Sequence, residues 1–304
     1  MISVSGITKT YGTRLAVDSM TFDVAAGRVT GFVGPNGAGK STTMRMMVGL
    51  ARPDRGEVRY DGINYTDLRH PARVVGSVLD ARCMHPGRTA RNHLRALGAL
   101  RAVSAERVDE VLADVGLESA ANQRAGGFSL GMRQRLALAG ALLGHPEVLL
   151  LDEPSNGLDP DGIRWLRTYL TSFAARGGTV FVSSYLIAEL AMFADDLVVV
   201  GGGKLIAAES VEAIIARNET VVVVDTPQSD ELRNLLTARH IRFDVIRGQL
   251  QVHEATLTEV SQLAFEHRIL IVEITEASKS LEETVLEMTS SSAEFASASA
   301  SASA

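Results

Sequence analysis

Gly34-Pro35-Asn36-Gly37-Ala38-Gly39-Lys40-Ser41 places glycines, one lysine and one hydroxyl at the spacing that wraps a polyphosphate. Glycines let the backbone curl so that successive N–H groups meet phosphate oxygens. Lys40 adds a full positive charge, and a helix opening here adds the partial charge of its N-terminus. Gly34, Pro35, Asn36, Gly37, Ala38, Gly39, Lys40 and Ser41 are therefore candidate ligands for a nucleotide such as ATP, with Ser41 offering its hydroxyl to Mg²⁺ and Thr42 reaching a more distal phosphate. The competing reading is a glycine turn with no ligand. Flanking context weighs against it: Arg28 to Val33 reads as a buried strand feeding the loop, and Ser41 to Leu50 has helical spacing.

Two further groups of residues gain meaning from that loop. Val148-Leu149-Leu150-Leu151 is an apolar run ending in Asp152-Glu153. A carboxylate at a strand end can hold a Mg²⁺ shell, and an adjacent one can orient or deprotonate a water. Phe128-Ser129-Leu130-Gly131-Met132 leads into helical spacing, so Ser129 and Gly131 can form a second anion site at a helix start. Ser129 acting only as a helix cap is the plain alternative.

The elements that must position these residues alternate strand and helix. Arg28 to Val33, Val148 to Leu151 and Thr179 to Ser183 are short apolar runs that end in polar residues. They predict an α/β fold with a mostly parallel sheet, helices on both faces and ligands at the carboxyl ends of the strands. Residues 90–124 turn helical, with Leu94, Leu97 and Leu100 and then Val108, Val111, Leu112 and Val115 at helical spacing. This segment reads as a helical insertion, or equally as two ordinary packing helices. From about residue 220 the order strand, helix, strand, strand, helix, strand predicts a small ferredoxin-like α+β domain over 220–290. Its last strand is placed at Leu270 to Ile274, and an amphipathic helix, Leu281 to Met288, follows. Residues 291–304 end in alternating Ala and Ser, cannot build a core, and are expected to be disordered.

Taken together the motifs resemble the ATP-binding subunit of an ATP-binding cassette (ABC) transporter, over residues 2–217. The resemblance implies a P-loop NTPase cassette. It implies that Asp152 belongs to the Mg²⁺ shell, that Glu153 is the catalytic glutamate, and that Ser129 and Gly131 contact ATP held by an opposing subunit. Asn156-Gly157-Leu158-Asp159-Pro160 resembles the loop that couples the two sites, and Tyr11 the aromatic that stacks on adenine, although an isolated tyrosine is more often packing. Two positions depart from the family. Asp80 stands where a glutamine is expected, and an aspartate there can still bind metal. Tyr185 stands where the family carries a histidine; its neutral phenol can hydrogen-bond a γ-phosphate but carries no proton or charge for it. A packing role for Tyr185 is as good a reading. The signature is Phe-Ser-Leu-Gly-Met rather than Leu-Ser-Gly-Gly-Gln.

The small C-terminal domain and the Leu281-Glu282 helix are similar to those of ABC-2 type drug, antibiotic and bacteriocin exporters. That likeness implies a separate membrane-spanning permease, a second ATP-binding subunit in a homodimer or heterodimer, and a peripheral place on the cytoplasmic face of the membrane. Composition agrees. No apolar stretch is long enough to cross a bilayer, and no leader is expected. A net charge of −6 speaks against a nucleic-acid partner, and the single cysteine, Cys83, allows no intramolecular disulfide. Two rival readings remain at this level. One is a soluble cassette ATPase outside transport, disfavoured by the single cassette and the lack of long heptads. The other is a weakly hydrolysing regulatory subunit, suggested by Asp80 and Tyr185.

Overall fold

The computed structural model describes residues 1–80, 84–99, 103–217, 220–246, 248–278 and 280–289. Leu100, Cys83 and the 291–304 tail lie outside them. The backbone divides into two compact units, Met1–Val211 together with residues from Val285, and Glu212–Thr284.

The first unit holds two sheets. Strands β1 (Ile2–Tyr11), β2 (Arg14–Val24), β4 (Arg55–Tyr60) and β5 (Ile63–Asn64) form an antiparallel sheet in the order β2-β1-β4-β5. Strands β3 (Val29–Val33), β6 (Val75–Val78), β7 (Val148–Asp152), β8 (Thr179–Ser184), β9 (Asp196–Gly201) and β10 (Lys204–Ser210) form the other, in the order β10-β9-β3-β8-β7-β6. All its pairings are parallel except β10 with β9. Every residue of β3 and β8 is buried, as expected of central parallel strands covered on both faces. Phe22 of β2, Phe32 of β3 and Phe181 of β8 pack with ring centroids 4.9–5.9 Å apart, joining the two sheets in one core with Met44 and Met47.

Helices α1 (Lys40–Met47), α2 (Pro71–Val74), α3 (Ala90–Ala99), α4 (Ala105–Asp114), α5 (Leu130–Leu142), α6 (Pro160–Ala175), α7 (Ile187–Ala191) and α8 (Val211–Ala216) complete the run from residue 1 to 216. The 90–124 segment contains α3 and α4 and is closed at its base by a bridge between Thr89 and Arg124. Ser104 caps α4, and Leu94, Val108, Val111 and Leu112 are buried, so the helical spacing reports packing faces.

The small unit carries β11 (Thr220–Asp225), α9 (Ser229–Ala238), β12 (Phe243–Ile246), β13 (Gln249–Val252), α10 (Leu257–Glu266) and β14 (Glu273–Ser278). Its sheet order β12-β13-β11-β14, antiparallel throughout, is the split βαβ arrangement. Val222, Val224, Leu250 and Val252 pack against Leu232, Leu236, Val260 and Leu263. The last strand is Glu273–Ser278 and not Leu270 to Ile274. Thr220 to Asp225 pairs with Ser278 to Glu273, while Leu270 and Val272 are exposed in the connection, where Leu270 bonds Gln228 and Thr226. Apolar content drew the strand too early; the ladder to β11 decides it. Residues 281–289 are helical.

Candidate functional site

The loop 34–39 leaves β3 and enters α1, and close backbone approach explains two of its glycines. A Cβ on Gly34 would lie 2.2 Å from the Val200 carbonyl oxygen. Gly39 has φ +97°, and a Cβ there would lie 2.6 Å from the Ala16 carbonyl oxygen. Gly39 also stands at the N-cap of α1 without a side chain to cap it. The first-turn amides of a helix have no intrahelical acceptor, so Lys40, Ser41 and Thr42 start a turn whose N–H groups remain available to an anion.

Lys40 is buried. Its Nζ donates to the carbonyls of Gly34 (2.6 Å) and Pro35 (3.4 Å) and lies 3.8 Å from Glu153 Oε1. Burial lowers the pKa of the ammonium, with the Glu153 and Asp152 carboxylates opposing that shift. Glu153 shows the mirror effect. Burial raises its carboxyl, while Lys40 and the Tyr185 N–H, which donates to Oε2 at 3.3 Å, pull it down. Its backbone is left-handed, with φ +51°.

Asp152 ends β7, and its Oδ1 accepts the Ser183 hydroxyl at 2.6 Å; the same hydroxyl accepts the Glu153 N–H at 2.9 Å. A cleft of about 550 Å³ is lined by Tyr11, Arg14, Ala16, Asn36 to Thr42, Glu153, Asn156 and Tyr185. Tyr11 is half exposed at the end of β1, with Lys9 Nζ 5.6 Å from its ring centroid. Four separate stretches of chain thus converge on one cavity with cationic, hydroxyl and carboxylate groups and an aromatic face at its rim.

Not every expected residue comes to this cleft. Ser129 is the N-cap of α5, its Oγ accepting the Met132 N–H at 3.2 Å, and Gly131 lies against Leu158. Asp159 caps α6 by accepting the Gly162 N–H at 2.7 Å. Asp80 follows β6 and lines a different groove of about 850 Å³ with Arg69, Arg73 and His93. Sequence reasoning left out Arg14 and Asn156 as cleft residues and gave Ser183 no role. Arg14 was findable: it pairs with Tyr11 across the turn Gly12-Thr13, so an aromatic at that position implies its cross-strand neighbour.

Fold and cleft together define a P-loop nucleotide-binding cassette, and comparison with known proteins agrees. The sequence model of the family described as ABC transporter matches residues 17–156, and a family described as a domain of unknown function matches residues 220–282. The chain is 34% identical over 293 residues to an uncharacterized ABC transporter ATP-binding protein of Bacillus subtilis, covering 95% of this chain and 96% of that one. It is 33% identical over 296 residues to the bacitracin transport ATP-binding protein of Bacillus licheniformis, covering 93% and 95%. Among solved structures it is similar to a dimeric post-hydrolysis state of an ATP-binding cassette bound to ADP and Pi. That match has a TM-score of 0.62 and 26% identity, covering 69% of this chain and 99% of that one.

The chain belongs to the ATP-binding subunits of ABC transporters, and it binds and hydrolyses ATP. Among the described residues, no helix is long and apolar enough to cross a membrane.

Proposed function

We propose that this chain is the motor of an exporter, closing on ATP with a second copy or a similar subunit and driving a separate membrane-spanning permease from the cytoplasmic face of the membrane. The observation that carries it is the convergence of Tyr11, residues 36–42, Glu153 and Tyr185 on one cleft. The adenine ring stacks on Tyr11. The loop amides, Lys40 and Thr42 hold the phosphates, with Arg14 as a second cation at the mouth. Glu153 accepts the proton of the attacking water, a role suited to a carboxyl that burial makes more basic. Tyr185 places its phenol beside the γ-phosphate.

The Ser41 hydroxyl and the Asp152 carboxylate are hard oxygen donors that fit Mg²⁺, which would offset charge on the substrate phosphates.

Ser129 and Gly131 lie outside the cleft, and in this reading they meet the γ-phosphate of ATP held by the opposing subunit, with Asp159 in the loop between the two sites. ATP then touches both subunits only in the closed pair, so its binding energy does the closing. Met1–Val211 is the ATP-binding domain, with 90–124 as its helical insertion, and Glu212–Thr284 the accessory domain. The groove bounded by Arg69, Arg73, Asp80 and His93 receives a cytoplasmic helix of the permease. Support for transport comes from the similarity to the bacitracin transport protein along nearly the whole of both chains.

The test is phosphate release by the purified chain, alone and with its membrane partner in lipid vesicles. Turnover that Glu153→Gln abolishes and the permease stimulates is expected. Turnover indifferent to both would remove the motor assignment.

A further inference from the structure

Ser183 is fully buried at the end of β8. The parallel ladder sets Asp152 beside Ser183 in register, so their contact follows from strand pairing rather than from a flexible side chain. Its Oγ donates to Asp152 Oδ1 at 2.6 Å and accepts the Glu153 N–H at 2.9 Å. That second bond holds a residue with φ +51°, a conformation that a glutamate keeps only where its surroundings over-determine it. The Tyr185 N–H, two residues further along the same chain, bonds Glu153 Oε2. Ser184 takes no part in this, because its Oγ accepts the Leu186 N–H at 2.9 Å, within its own turn.

One hydroxyl therefore fixes the side chain of the first acid and the main chain of the second. Ser183 itself does not line the nucleotide cleft. We propose that Ser183 is a positioning residue for hydrolysis, aiming the Asp152 carboxylate at the metal shell and the Glu153 carboxylate at the attacking water. The proposal rests on the roles given above to those two acids. Its loss acts on the metal's contribution and on the chemical step, leaving intact the grip of the 34–41 loop on the nucleotide.

The test uses the full chain and a fluorescent ATP analogue. Affinity is measured in EDTA and in Mg²⁺, alongside kcat, KM and thermal unfolding. For Ser183→Ala, affinity in EDTA stays within about twofold of the parent, while kcat and the affinity gained on adding Mg²⁺ each fall about tenfold, the scale of one hydrogen bond to a charged group. Ser183→Cys keeps the volume with a weak donor and acceptor and should follow alanine. Ser183→Thr keeps the hydroxyl and should restore both quantities.

Parental kcat and Mg²⁺ gain in Ser183→Ala would overturn the proposal. So would affinity in EDTA falling as far as affinity in Mg²⁺ in both the Ala and Cys variants, which marks a merely structural residue. Asp152→Asn separates the underlying reading. A parental Mg²⁺ gain there removes the metal role of Asp152 and the proposal with it, whereas a loss there with none in Ser183→Ala removes only Ser183.

Discussion

The two helix starts that carry glycine motifs are finished differently. Before α1 stands Gly39, which has no side chain to cap the helix, and the first turn of α1 lines the cleft beside Lys40. Before α5 stands Ser129, which closes its own helix by accepting the Met132 N–H, and neither Ser129 nor Gly131 lines that cleft. The first is a complete anion site within one chain. The second is a capped helix, which under the proposed function becomes an anion site only against ATP held by the opposing subunit. Motif resemblance treats both as nucleotide contacts; the proposed function makes the first a site in cis and the second a site in trans.

Substitutions at the two helix starts should therefore fail in different assays. Lys40→Ala should weaken ATP binding by the isolated chain most, by about 1.5–3 kcal/mol, one hydrogen bond to a charged group. Calorimetry giving an affinity within about threefold of the parent would remove Lys40 from the phosphates. Gly39→Ala puts a Cβ against the Ala16 carbonyl at a left-handed position, and should cost about 1–3 kcal/mol in denaturant unfolding of the nucleotide-free protein as well as loosening ATP. An unchanged unfolding midpoint would contradict that close approach.

At α5 the same assays should separate. Ser129→Ala loses about 1 kcal/mol of stability with its cap, leaves the isolated chain's ATP affinity unaltered, and lowers turnover. An affinity loss matching that of Lys40→Ala would place both helix starts at one site and erase the distinction. The smallest effects belong to Tyr185, at the rim. Tyr185→His should raise kcat and Tyr185→Phe should lower it, both by less than the 10²–10⁴ range, about the full worth of a general acid or base. Equal phosphate-release rates for Tyr, His and Phe would mean that the ring only packs.

Much of the cis site was legible in the sequence, because its parts are local. A buried strand feeding a glycine loop, or an apolar run ending in two acids, declares itself within ten residues. Other parts that stayed hidden depend on pairing between distant elements. Ser183 meets Asp152 only through the β7–β8 register. The β14 boundary missed for the same reason: Leu270, Ile271 and Val272 look like strand, but β11 selects Glu273–Ser278. Asp80 was placed with the metal by resemblance of position, and the structure sets it along a groove with Arg69, Arg73 and His93.

The division into cis and trans sites is tested most directly by the mass of Glu153→Gln in solution. The amide keeps the shape of the carboxyl and loses its ability to accept the water's proton, so bound ATP should persist. Light scattering during size-exclusion chromatography should show a monomer without nucleotide and a dimer with Mg-ATP. The dimer should disappear when Ser129 is replaced by Arg in the same chain. A protein that binds ATP and stays monomeric, or a dimer indifferent to Ser129→Arg, would contradict the assignment of α5 to the opposing subunit's nucleotide.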